Sequence, residues 1–94
     1  MNYTFNDDSP IFQQLAKALE DDIFLCTYKE GSAIPSTTEL SVALHINPAT
    51  VLKAMNLLLD EGLIEKKRGI GMFVKEGAVE RIKDRRKSLF KSKF

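Results

Sequence analysis

A mainly α domain with one small β-hairpin is the fold class this sequence predicts, and three observations predict it. Apolar residues recur at three- and four-residue steps in three stretches before Gly62, the pattern of helices with one buried face. The second and third stretches are joined by a tight turn, with a good helix start at Ser36 and another at Asn47. After Gly62 two short apolar-rich runs bracket Arg68-Gly69, which reads as a hairpin with a basic tip.

The first helix opens at Ser9-Pro10, as N-cap and first-turn proline. Ile11, Phe12, Leu15, Ala16, Leu19, Ile23 and Phe24 give it one apolar face through about Tyr28, and Lys29-Glu30-Gly31 ends it. Ser32 to Pro35 is extended, because a residue before proline avoids the helical region. The second helix runs from about Thr37 to His45 with Leu40, Ala43 and Leu44 inward. Its start is a capping box, Ser36 with Glu39 three residues on. The third runs from about Pro48 to Glu61, where proline suits the first turn. Val51, Ala54, Met55, Leu58 and Leu59 form its buried side, and Gly62 is a natural left-handed cap. Leu63–Lys67 and Ile70–Val74 are the strands, and Glu76-Gly77 breaks the pattern. From Ala78 to about Lys91 the chain is again helical, with Val79, Ile82, Arg86 and Leu89 on an incomplete apolar stripe.

At 94 residues this is one domain with a terminal appendage, too small to enclose a sizeable pocket. No apolar run approaches the roughly 20 residues of a membrane span, and the first eight residues lack the pattern of a secretion signal. Cys26 is the single cysteine, so a reducing cytoplasm is the expected setting. The formal charge of +1 hides an asymmetry. Residues 1–65 hold three lysines against ten acids, a net −7, whereas residues 66–94 hold eleven cations against three acids, a net +8. Concentrated positive charge suits a polyanion partner, though a solubilising tail shows the same composition. There is no glycine-rich phosphate loop, no metal-ligand spacing and no nucleophile–base pair, so neither an enzyme nor a cofactor is expected. His45 stands alone at the inter-helix turn, which implies a helix-end role, and Cys26 is expected to be a small buried hydrophobe.

A short helix, a tight turn and a helix with small polar residues at its exposed start make a helix-turn-helix, whose second helix enters the major groove of DNA. Five runs extend that reading. Pro10-Ile11-Phe12-Gln13-Gln14-Leu15, Ile34-Pro35-Ser36 with Glu39-Leu40, Asn47-Pro48-Ala49-Thr50-Val51, Glu61-Gly62-Leu63-Ile64-Glu65 and Arg68-Gly69-Ile70-Gly71-Met72-Phe73-Val74 follow in order. Together they resemble the GntR family of bacterial transcription regulators, and most of all its YtrA branch. The resemblance implies a winged helix-turn-helix over residues 1–76. It also implies a short helical dimerisation element over residues 77–94, and binding to palindromic operators as a homodimer. Many relatives carry arginine where this chain has Thr38, Pro48 and Leu52. Those arginines typically touch phosphate or guanine, so the resemblance does not carry the wider family's base preferences over to this chain.

On this reading Thr50 is the foremost contact of the recognition helix, its hydroxyl reaching phosphate or a base edge and its methyl a thymine. Ala49 leaves room for close approach, and Lys53 meets phosphate or guanine. Asn47 is chiefly a cap beside the backbone. Ser36 and Thr38 offer phosphate contacts at a helix N-terminus, with Thr38 the better placed because Ser36 serves the cap. Lys67, Arg68 and Gly69 form the wing tip, where arginine favours a narrow minor groove. Phe73 is expected to anchor the wing, and the basic face of the last helix to add phosphate contacts. The function expected is a double-stranded-DNA-binding transcription regulator, a repressor. The rival is a winged-helix docking module that reads no DNA; a small polar helix start and a basic wing favour DNA.

Overall fold

The structure, a computed structural model, describes residues 3–91; the side chains of residues 89–91 fall outside that description. Its order is α1 (Ile11–Phe24), α2 (Thr37–Leu44), α3 (Pro48–Asp60), β1 (Ile64–Lys67), β2 (Gly71–Val74) and α4 (Ala78–Lys91). Each predicted helix and strand is present. One core unites them: Leu15, Leu19 and Ile23 of α1 meet Leu40 of α2, Val51, Met55 and Leu58 of α3, Ile64 and Val74 of the hairpin, and Ala78 and Ile82 of α4.

Local chemistry explains the boundaries. The capping box forms in full, with Glu39 N–H donating to Ser36 Oγ at 3.1 Å and Ser36 N–H donating to Glu39 Oε1 at 3.1 Å. His45 closes α2 in the left-handed region at φ 54°, a conformation that strains a non-glycine residue. Ala49 N–H donates to Asn47 Oδ1 at 2.8 Å and opens α3. At its far end Gly62 N–H reaches Leu59 O at 3.1 Å and Leu63 N–H reaches Leu58 O at 3.0 Å. That pair is a Schellman motif, and the φ of +74° at Gly62 is what it requires.

Several expectations need correction. The α1 cap position is Pro10, without a side-chain cap bond. Ser9 instead offers its carbonyl to Gln14 Nε2 at 2.7 Å. The helix stops at Phe24, four residues early, because Asp22 O accepts from Thr27 N–H and Tyr28 N–H and folds the chain back. Cys26 therefore sits exposed in a left-handed turn at φ 62°, not in the core. Ala43 is exposed, leaving Leu40 as the buried anchor of α2.

The hairpin pairs Ile64 with Val74, Glu65 with Phe73, Lys66 with Met72 and Lys67 with Gly71. A third, extended segment lies against β2: Gly31 N–H donates to Val74 O and Ile34 N–H to Met72 O. Strand alternation turns Val74 and Met72 to the core. Phe73 faces the other way, so it is not the anchor that the sequence suggested. The N-terminal segment packs as well. Tyr3 and Phe5 rest on the core, and the Tyr3 hydroxyl donates to Asp22. Burial, then the Asp22 carboxylate, pushes the Tyr3 phenol far above its ordinary range, so it stays a neutral donor.

α4 docks on α1. Ala78 and Ile82 enter the core, and Arg86, which interrupts the stripe, finds Glu20 Oε2 at 3.0 Å and Asp21 Oδ1 at 2.6 Å. Arg85 pairs with Glu20 and with Glu61. Glu20 is 6% exposed, so only a charged neighbourhood keeps its carboxylate tolerable there. Leu89, the remaining apolar member expected on this stripe, lies outside the described side chains.

Candidate nucleic-acid interface

The buried side of α3 is Val51, Ala54, Met55 and Leu58. Opposite them Ala49, Leu52, Lys53 and Asn56 are exposed, three and four residues apart, and so lie on one stripe. No part of the described chain covers it. Leu52 keeps 50% of its surface in solvent.

Two flanks of the stripe differ. On the α1 side, Lys53 holds its ammonium 4.6 Å from the centre of the Phe12 ring, a cation–π contact that aims the side chain while leaving it exposed. Thr50, half-buried, lies in line with Lys53 on that shoulder. On the other side Leu52 and Asn56 share a groove with Lys66, Gly71 and Met72 of the hairpin and with Ser36, Thr37 and Thr38 at the start of α2. The groove therefore gathers a helix N-terminus, the polar edge of α3 and one hairpin cation. A phosphate strand passing through it meets N–H donors and positive charge together.

At the hairpin tip Arg68, Gly69 and Ile70 are exposed. Gly69 adopts φ +78°, and a Cβ added there would meet nothing within 4 Å. The tip is thus open around Gly69. Lys67 bends back over the Phe73 ring at 4.6 Å, on the face away from the groove. Alternation gives Lys66 the groove side, together with Ile64.

A domain of this shape has known relatives. The family model described as bacterial regulatory proteins, gntR family, matches residues 11–74. The chain belongs to the GntR family. It is 36% identical over 70 residues to the HTH-type transcriptional repressor YtrA of Bacillus subtilis, a match covering 74% of this chain and 54% of that protein. Among solved structures it resembles a GntR family transcriptional regulator from Listeria monocytogenes, at TM-score 0.83 and 30% identity over 94% of this chain and 80% of the other. It also resembles YtrA from Sulfolobus acidocaldarius, a GntR-family transcription factor, at TM-score 0.79 and 27% identity over 100% of this chain and 84% of the other. The resemblance seen in the sequence motifs, including its YtrA character, is thereby met, and membership assigns the chain to regulatory proteins rather than enzymes.

Within this GntR fold the residues nominated from sequence fall into three groups. Ala49, Thr50 and Lys53 share the outward side of α3, with Thr50 on its shoulder. Ser36, Thr38 and Asn47 cluster at helix starts. There Ser36 and Asn47 give their side-chain oxygens to caps, while Thr38 is exposed on the groove. Lys67, Arg68 and Gly69 lie at the tip. Leu52, Asn56 and Lys66 were not nominated, yet they line the same groove. The exposed i, i+3, i+4, i+7 series starting at Ala49 and the two-residue step from Ile64 to Lys66 were the signals that pointed to them.

One expected surface is largely committed elsewhere. Arg81 Nε donates to Glu61 O at 2.9 Å, and Arg85 and Arg86 bind acids of α1 and Glu61. Arg85 and Arg86, two of the cations behind the C-terminal surplus, thus pair with acids of this same domain, and Arg81 is spent on a backbone carbonyl. Among the described residues no helix is long and apolar enough to cross a membrane.

Proposed function

We propose that this GntR-family chain is a transcriptional repressor that binds an inverted-repeat operator as a homodimer in the cytoplasm. The observation that carries it is the exposed stripe of α3 lying beside a groove that collects the α2 N-terminus and Lys66. Each protomer lays α3 in a major groove, with Thr50, Lys53 and Ala49 at the bases and phosphates, and Ser36, Thr38 and Asn47 beside the backbone. The tip, Lys67, Arg68 and Gly69, follows the flanking groove. Residues 77–94 supply the dimer contact through the part of α4 turned from the core. The repressor role of Bacillus subtilis YtrA supports the direction of control; because the match spans about half of that protein, the role is carried over as part of the proposal.

Docking to a protein partner is the second reading, favoured by the exposure of Leu52 and of Ile70, which is 74% exposed. The cations that surround both residues favour DNA. Selection from a random duplex library, paired with sedimentation of the complex, decides between them. Enrichment of an inverted repeat with half-sites about one helical turn apart, near 34–36 Å, and two chains per duplex is expected. Failure to enrich any sequence overturns the proposal.

A further inference from the structure

The exposed stripe of α3 is poor in the groups that read guanine. Guanine in the major groove offers two acceptors, O6 and N7, and is met by arginine or lysine. The stripe Ala49, Leu52, Lys53 and Asn56 contains no arginine, and its single cation is drawn to the α1 flank by Phe12, 4.6 Å away. Its centre and groove side are Ala49, Leu52 and Asn56 instead. Leu52 is half in solvent, and flanking cations make the surrounding surface suited to a polyanion rather than to an apolar protein face. In a major groove the apolar feature available to such a side chain is the C5-methyl of thymine. One turn on, exposed Asn56 carries a donor and an acceptor side by side, the complement of the N6 donor and N7 acceptor of adenine.

We propose that α3 reads A·T pairs, with Leu52 and Ala49 against thymine methyl groups and the Asn56 carboxamide on an adenine edge. The proposal rests on the reading that α3 enters a major groove, and it names the base class read there. Replacing thymine by deoxyuridine removes only the methyl. In the duplex enriched by selection, deoxyuridine at each thymine in turn identifies the contact. Binding of the full chain is expected to weaken by about fourfold for a methyl that Leu52 covers, with binding to random duplex unchanged. Leu52→Ala is expected to bind the thymine and deoxyuridine duplexes alike, whereas Leu52→Met retains the preference. Circular dichroism checks that both variants are folded, as half-exposure of Leu52 implies. Enrichment of a site that tolerates deoxyuridine at every thymine, or of guanines that cannot be changed under α3, overturns the A·T assignment and leaves operator binding standing. No enrichment overturns both.

Discussion

Arg68 projects from an exposed hairpin tip and has no ion-pair partner among the described residues. A dimer neutralising on the order of 8 phosphates has a log–log salt slope of about −7. Arg68→Ala is expected to weaken specific and random duplex binding alike and to flatten that slope by about one unit, read by titration at several salt concentrations. An unchanged slope removes Arg68 from the contact surface. Thr50→Ala acts differently. Its expected effect is a loss of about 1 kcal/mol in specific binding with random binding intact, measured on the selected duplex beside a thermal melt. At this scale the sequence was most legible where chemistry is local. Ser36, Asn47 and Gly62 each perform a role written in their own residue type and immediate neighbours. Cys26 was misplaced because apolar periodicity runs past the actual helix end, which a carbonyl of Asp22 decides. Choosing Lys66 over Lys67 for the groove required knowing which face of a strand meets α3, and that is a matter of packing.

Elements are joined here by polar links between distant parts of the chain. Glu30 is one. Its two oxygens accept from Gly77 N–H at 2.9 Å and Val79 N–H at 3.0 Å, capping α4 from the far side of the sequence. Those backbone bonds lower the Glu30 carboxyl below its ordinary value of 4.5. A depressed carboxyl contributes stability above about pH 4.5 that fades as pH falls through the lower folded value. Stability of the parent is therefore expected to drop through that acid window. Glu30→Gln should lose this part of the pH dependence while remaining less stable at neutral pH, as urea melts from pH 3 to 7 will report. The clasp between α1 and α4 is the second link. Replacing Arg85 and Arg86 together by methionine leaves buried Glu20 with Lys17 at 3.7 Å. Because both arginines are about one-third exposed, solvent softens the penalty, and a loss of about 2 kcal/mol is expected. Adding Glu20→Gln should restore part of it; if it restores nothing, charge is not what holds α4. These pairs span some 65 residues, and nothing in a periodicity reveals them. The acids Glu20 and Asp21 read only as a solvated face until α4 is laid across them.

The whole molecule behaves as one body: α3 rests on α1, and α1 is fastened to α4. In a homodimer joined through α4, the two reading helices are then separated by stiff material, without a hinge among the described residues to absorb a change in spacing. Phasing on the duplex becomes an all-or-none requirement. Inserting one base pair between the half-sites turns one face away by roughly a tenth of a revolution, and five base pairs put it on the opposite side of the helix. Titrations on such spaced duplexes should show engagement of both half-sites giving way to weaker engagement of one at the first insertion, with no recovery at a full added turn, because a rigid dimer cannot reach roughly 34 Å farther. In the proposed homodimer the arginine clasp acts as a ruler, set in the protein and measured out along the operator.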